Sequence, residues 1–294
     1  MAPGLVAWAK ATALDSARVK MLTVKRWLSP RKQEPQSGFF DSYPRFYSTS
    51  TTGVKPNRLN QRYRALIESN SALINDKSVL DIASHDGRWS FAAHKAGARH
   101  VLGIEAREHL VKLAQENLRE YGVPWGAIHF LLGDVFVQLD RIEPGTIETV
   151  LCFGFFYHTL HHMLLLNKIA QLRPKYLILD TGVSLDPRCI VEVRRETVDV
   201  ESAGAVSDAG DPRYTVIGFP SRQAMELMLS AAGFESFSYY DWRGAGIKDW
   251  AYLDDYYRGK YISLVATLHP TMAAEQIVSS DGQVSRTYNG GEES

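Results

Sequence analysis

The sequence predicts an α/β domain built on a mostly parallel sheet with helices on both faces. From residue 78 onward, short and almost continuously apolar runs alternate with longer amphipathic segments. Strands that are buried on both faces have this pattern, and the helices between them supply the crossovers that parallel pairing needs. The five predicted strands cover residues 78–83, 100–106, 128–135, 149–156 and 176–181.

Helical periodicity marks the segments that precede and separate these strands. The predicted helices cover residues 58–69, 90–98, 108–122 and 158–172. Asn57 stands where a side chain would cap the first of them. After Thr181 we expect a further helix that Ser221 caps and Gly233 ends. Three more strands are expected over residues 189–200, 237–242 and 260–268.

Composition limits the classes of protein that need to be considered. The 294 residues are 45% hydrophobic, which is enough for one large domain with a sizeable core. The 33 basic and 33 acidic residues give a formal net charge of zero. The overall charge therefore does not point to a nucleic-acid partner. The sequence contains no run of about 18 apolar residues, so it predicts no membrane-spanning helix. Cys152 and Cys189 lie in apolar runs, which predicts buried thiols in a reducing, cytoplasmic compartment.

Three regions are predicted: a cap over residues 1–56, a central domain over 57–268 and a disordered polar tail over 269–294. The cap begins with a basic amphipathic helix, which we expect to pack on its own domain or on a partner. Contact with a membrane surface is the alternative. The cap ends in an aromatic segment with Phe39, Phe40, Tyr43, Phe46 and Tyr47.

Polar side chains follow the ends of the first three predicted strands. The loop Ser84 to Arg88 follows the first strand, Glu105 ends the second and Asp134 follows the third. Because the carboxyl ends of parallel strands meet at one edge of a sheet, these groups should surround a common hollow. There Glu105 would accept hydrogen bonds from the ribose hydroxyls of an adenosine, and Asp134 from its adenine amino group.

In this order and spacing, Asp81 with the turn to Gly87, Glu105 and Asp134 resemble the motifs of class I S-adenosylmethionine-dependent methyltransferases. The resemblance covers about residues 57–268. It implies a Rossmann-like sheet of seven strands, the last antiparallel, and S-adenosyl-L-methionine as cofactor. The cofactor-binding residues that it implies are Asp81, Ala83, His85, Gly87, Glu105, Ala106, Asp134, Val135 and Phe153.

The first motif departs from the D-x-G-x-G-x-G pattern of that family, since its glycine positions hold Ala83, His85 and Gly87. Histidine tolerates a positive φ better than most residues, and alanine would fit with a negative φ. Dinucleotide binding is disfavoured because a pyrophosphate needs the missing glycines and Asp86 would repel it. A remaining alternative is that His85 and Asp86 only cap the next helix.

The segment after the fourth strand carries the candidate catalytic residues Tyr157, His158 and His162. On a helix that begins near Thr159, positions 158, 161 and 162 would share one face. His158 is the first choice as general base because it stands closest to the strand end. One alternative is that His161 and His162 only cap or solvate the start of the helix, while His158 alone faces the site. Another is that the histidines bind a divalent metal ion together with Asp180. We expect no metal.

The predicted function is transfer of a methyl group to a hydroxyl, carboxyl or amine of a small molecule, with the hydroxyl favoured by the histidines. The pair Tyr157-His158 also resembles enzymes that carboxymethylate the wobble uridine of transfer RNA. A cofactor-binding partner protein without catalysis is the third hypothesis. Segments 39–47, 182–215 and 244–259 would form a lid over the acceptor.

Overall fold

A computed structural model describes residues 38–49, 55–198 and 213–269. The predicted basic helix, residues 199–212 and the predicted tail beyond His269 lie outside these ranges. None of the helices in these ranges contains an apolar segment that could span a membrane.

The centre of the domain is a seven-stranded sheet in the order β3-β2-β1-β4-β5-β9-β8. Strands β1 to β5 are parallel, whereas β9 is antiparallel to both β5 and β8. This is the predicted Rossmann-like architecture, and its connections reverse direction between β1 and β4. The strands are β1 Ser78–Ile82, β2 His100–Glu105, β3 Ile128–Leu132, β4 Thr149–Phe153, β5 Tyr176–Gly182, β8 Phe234–Tyr239 and β9 Tyr261–Leu268.

Helices surround the sheet and connect its strands. They are α1 Arg45–Ser48, α2 Pro56–Leu66, α3 Arg88–Lys95, α4 Glu108–Glu120, α5 Val135–Leu139, α6 His162–Gln171, α7 Arg222–Ala231 and α8 Asp254–Tyr257. The Ser221 hydroxyl accepts a hydrogen bond from the Ala224 N–H at 3.2 Å, so the predicted cap of α7 is confirmed. The predicted cap of α2 is wrong, because Pro56 starts that helix and the Asn57 amide donates to the Asp249 carbonyl.

Alternate residues of the central strands enter two apolar clusters on opposite faces of the sheet. Leu80 contributes to one cluster and Val79 to the other. The second cluster also contains Phe40 and Phe46, which are fully buried. Cys152 is buried in the first cluster, but Cys189 is exposed. The prediction for Cys189 is wrong because the residue lies in the turn before a strand that begins only at residue 191.

A separate hairpin consists of β6 Val191–Thr197 and β7 Tyr214–Pro220, which pair antiparallel. Strand β6 was predicted, whereas β7 was not. Glu196 pairs with Thr215 and Glu192 with Phe219. Since side chains alternate between the two faces of a hairpin, Glu196 and Phe219 project from the same face.

Candidate active site

A cavity of about 570 Å³ opens at the carboxyl ends of the parallel strands, next to the point where the connections reverse. Seven of the nine predicted cofactor-binding residues line it. They are Ala83, His85, Glu105, Ala106, Asp134, Val135 and Phe153. The first and third strand tips, which are not neighbours in the sheet, thus contribute to the same hollow.

The loop after β1 keeps the backbone shape of a glycine-rich turn. Ala83, His85 and Gly87 have φ values of 55°, 54° and 77°, so all three glycine positions are left-handed. The expectation for His85 is confirmed, but the negative φ expected for Ala83 is wrong, and the left-handed conformation costs this residue about 1–2 kcal/mol. Gly87 does not line the cavity. A Cβ there would lie 3.0 Å from the Cβ of Ala114, so glycine permits close packing of α3 on α4.

Glu105 ties the loop to the tip of β2. Its side chain is almost completely buried, and its two carboxylate oxygens accept hydrogen bonds from the His85 and Arg107 N–H groups, each at 3.0 Å. Each carboxylate oxygen can accept a second hydrogen bond, so Glu105 retains capacity for a ligand in the cavity. Asp134 caps α5 by accepting from the Val137 N–H at 3.1 Å and lines the same cavity.

Asp81 lies beneath the loop and not on the cavity wall. Its buried carboxylate accepts a hydrogen bond from the Ser90 hydroxyl at 2.6 Å, and burial raises its pKa to about 7. The structure therefore does not place Asp81 in contact with a ligand in the cavity, contrary to the expectation from the motif. Its role in the fold is to join the end of β1 to the first turn of α3.

Asp86 and His85 have different environments, although they are neighbours in the chain. The fully buried Asp86 accepts hydrogen bonds from Arg88 Nε and the Thr49 hydroxyl, each at 2.6 Å. Burial opposes its ionisation, but Arg88, His85 and the Thr49 hydroxyl together outweigh burial and lower the pKa of Asp86. Asp86 thus serves the start of α3, as the capping alternative expects, whereas His85 lines the cavity.

The three histidines after β4 do not share one helical face, so that prediction is wrong. Helix α6 begins at His162, because Thr159 is extended and its hydroxyl accepts a hydrogen bond from the His161 N–H at 3.0 Å. His158 ends a short 3-10 turn that precedes this break. His161 still reaches the cavity, where its ring lies edge-on to Phe136.

His158 and Tyr157 both line the cavity. His158 Nδ1 lies 2.9 Å from Glu196 Oε2, and its side chain is only 10% exposed. The centroid of the His158 ring lies 4.1 Å from that of the Tyr157 ring. The Tyr157 ring in turn stacks on the Phe219 ring, with their centroids 4.9 Å apart. Burial raises the pKa of the Tyr157 hydroxyl, so this group stays protonated near neutral pH.

His162 lies behind this wall and does not line the cavity. It is buried, its Nε2 lies 3.1 Å from the Gly218 carbonyl oxygen, and burial lowers its pKa to about 4. A neutral imidazole in this position donates to the hairpin backbone. This placement removes His162 from the candidate catalytic residues and makes it a structural contact between α6 and β7.

The β6–β7 hairpin therefore contacts each of the three residues that were predicted to be catalytic. It does so through Glu196, Phe219 and the Gly218 carbonyl. The aromatic segment 39–47 was expected to belong to the lid, but none of its described residues lines the cavity. Its rings pack on α3 instead, with Phe46 5.3 Å from Phe91. From segment 244–259, Asp255 reaches the cavity wall.

Sequence reasoning missed Arg62, a buried cation in the cavity wall. Its Nη2 donates to Asp180 Oδ2 at 2.6 Å, and the fully buried Asp180 also accepts from the Ser263 hydroxyl at 2.6 Å. Arg62 stands three residues after Leu59 and four before Leu66, so an arginine on the apolar side of α2 was the available signal.

Asp180, which the metal alternative would use as a ligand together with the histidines, pairs with Arg62. Among the described residues, no group of three or more His, Cys, Asp or Glu side chains is arranged to hold a metal ion.

Comparison with known proteins supports the domain class. Residues 79–174 match a family described as a methyltransferase domain. Ribosomal protein L11 methyltransferase of Deinococcus radiodurans is 30% identical over 141 residues, 45% of this chain and 50% of that protein. Protein arginine N-methyltransferase 8-B of Danio rerio is 36% identical over 161 residues, 51% of this chain and 34% of that protein. The chain therefore spans half or less of the length of these curated relatives.

Solved structures share the fold at low sequence identity. The N-terminal domain of EvdMO1 with SAH bound aligns with a TM-score of 0.52 and 19% identity, over 75% of this chain and 85% of that one. A putative S-adenosylmethionine dependent methyltransferase from Listeria monocytogenes aligns with a TM-score of 0.50 and 14% identity, over 73% and 99%. These solved structures show the fold that the seven-stranded sheet has, and within it residues 79–174 match the methyltransferase domain family.

Proposed function

We propose that the protein transfers the methyl group of S-adenosyl-L-methionine to a hydroxyl group of a small molecule. The observation that carries this proposal is a single cavity with two chemically different ends. Glu105 and Asp134 line it beside β2 and β3, and Tyr157 and His158 line it after β4. A cavity of about 570 Å³ is in the range of pockets that hold small ligands.

The acidic end suits the nucleoside part of the cofactor. Glu105 would accept hydrogen bonds from the ribose hydroxyls and Asp134 from the adenine amino group. The left-handed loop from Ala83 to His85 would hold the amino-acid tail, where the sulfonium tolerates neighbouring carboxylates that a pyrophosphate would not. Bound there, the cofactor supplies a methyl group that is already activated by the positive sulfur.

The other end suits an acceptor hydroxyl. The protein has to align the acceptor oxygen about 3 Å from the methyl carbon and to remove its proton. His158 is the group we assign to the second task. Because its side chain is only 10% exposed, the acceptor has to enter the cavity, which favours a small molecule. The named relatives methylate proteins, and this chain spans half or less of them, so their acceptors are not carried over.

Calorimetry with S-adenosylhomocysteine tests the cofactor part of the proposal. We expect the protein to bind it and Glu105→Gln to weaken binding at least about tenfold, since a hydrogen bond to a charged group contributes about 1.5–3 kcal/mol. Glu108→Gln is the matched control, because Glu108 is exposed at the start of α4 and pairs with Lys112. No binding by the unmodified protein, or equal losses in both variants, would contradict the assignment.

Transfer of radioactive methyl groups into a cell extract tests the acceptor class. We expect the label in the low-mass fraction and its loss in His158→Gln. Label in the transfer RNA or protein fraction would instead support the corresponding macromolecular acceptor. Cofactor binding without any label transfer would support the non-catalytic hypothesis.

A further inference from the structure

We propose that Glu196 is a positioning residue that holds the His158 imidazole with Nδ1 protonated and Nε2 ready to take a proton from the acceptor hydroxyl. This inference rests on the proposed function, because it concerns how the candidate base works. It assigns a role in the site to the β6–β7 hairpin.

The contact between the two side chains determines the tautomer. His158 Nδ1 lies 2.9 Å from Glu196 Oε2, and the two side chains are 10% and 24% exposed. An ionised carboxylate only accepts hydrogen bonds, so the ring nitrogen that faces it has to carry the hydrogen. A neutral imidazole with hydrogen on Nδ1 has its lone pair on Nε2, at the opposite side of the ring.

The hairpin also restricts rotation of the ring. The Tyr157 ring lies 4.1 Å from the His158 ring and stacks on Phe219, which is on the same hairpin face as Glu196. The Arg194 guanidinium lies over the Phe219 ring, 4.2 Å from the ring centroid. Arg194 Nη2 also lies 2.7 Å from Glu192 Oε1. One hairpin therefore supplies both the hydrogen-bond partner of His158 and the support for the neighbouring ring.

The charge balance of the reaction explains why a carboxylate is useful at this position. As the acceptor oxygen bonds to the methyl carbon, the carbon–sulfur bond breaks and its electron pair neutralises the sulfonium. The acceptor proton moves to His158 Nε2, so one positive charge is lost at sulfur and one appears on the imidazole. Glu196 stabilises that imidazolium through a charge-assisted hydrogen bond on Nδ1.

Two arginines of the cavity wall have carboxylate partners of their own. Arg62 pairs with Asp180, and Arg58 with Asp255. Among the described residues, Glu196 is the carboxylate at hydrogen-bond distance from the His158 ring. The inference can therefore be tested by changing this one side chain.

The tautomer can be measured without knowing the acceptor. The protein is labelled with ¹⁵N-histidine, and the His158 signals are assigned by their loss in His158→Gln. We expect neutral His158 to carry its hydrogen on Nδ1 in the unmodified protein, and Glu196→Gln to mix in the Nε2-protonated form. Glu192→Gln, the matched control on the same strand, should leave the tautomer unchanged because Glu192 binds the Ser184 hydroxyl and Arg194. Hydrogen on Nε2 in the unmodified protein would overturn the inference.

A second measurement separates this inference from the proposed function. Glu196→Gln should bind S-adenosylhomocysteine as tightly as the unmodified protein does, while label transfer to the low-mass fraction falls on the order of tenfold or more. Unchanged transfer with unchanged binding would overturn the role of Glu196 only. Absence of binding in the unmodified protein would overturn the proposed function itself.

Discussion

Replacement of Arg62 by methionine tests a deeply buried charge pair at the cavity. The Arg62 side chain is 8% exposed and that of Asp180 is fully buried. Two hydrogen bonds from the guanidinium reach Asp180 Oδ2, from Nη2 at 2.6 Å and from Nε at 3.2 Å. The remaining partners of Asp180 are the neutral hydroxyls of Tyr256 and Ser263. Methionine keeps most of the length of the side chain but leaves the carboxylate without a positive partner.

The expected effect is large because one charge stays buried. Removal of one partner of a buried ion pair costs about 3–5 kcal/mol. For a chain of this size, each 1 kcal/mol lowers Tm by about 2–4 °C, so Arg62→Met should lower Tm by roughly 6–20 °C. The matched control is Arg258→Met. Arg258 pairs with Asp254 on the surface, where the side chains are 60% and 64% exposed, so its loss should stay within about 1 kcal/mol.

Urea denaturation at pH 7 measures these free energies of unfolding. A second variant, Arg62→Met with Asp180→Asn, should recover part of the loss, because a neutral amide replaces the unpaired charge. If Arg62→Met is as stable as the Arg258 control, Asp180 does not depend on Arg62 for its charge and the reasoning is wrong. If the double variant is less stable than Arg62→Met, the loss has a source other than the buried carboxylate.

Two further predictions concern the pH dependence of stability. Burial raises the pKa of Asp81 from 3.8 to about 7, so between these values the folded state binds the proton more tightly and stability falls as pH rises. Asp81→Asn should remove this part of the slope in urea titrations between pH 4 and pH 7, and an unchanged slope would count against the assignment. Burial lowers the pKa of His162 from 6.5 to about 4, so the unfolded state binds the proton more tightly and stability is lost as pH falls through this window. His162→Gln, whose amide can still donate to Gly218, should flatten this acid loss, and a loss as steep as in the unmodified protein would refute the prediction.

Local sequence patterns predicted the framework of the domain. The apolar runs of β1 to β5 and the periodicity of the helices indicate a parallel sheet, and the topology of such a sheet brings strand ends together whatever their side chains are. For this reason Glu105 and Asp134 could be placed at one hollow before any contact was known. The left-handed φ of His85 was also predictable, because it depends on the turn and not on distant residues.

Contacts between distant residues decided the rest. Glu196 meets His158 across 38 residues, and Arg62 meets Asp180 across 118. Neither pairing follows from spacing, because each depends on how a hairpin or a helix packs against the sheet. The placement of His162 depends on the extended Thr159, which separates the 3-10 turn from the next helix, and on the Gly218 carbonyl 56 residues away. The sequence by itself thus determined where the strand tips meet, whereas tertiary packing determined which side chains face the hollow and which partners hold them there.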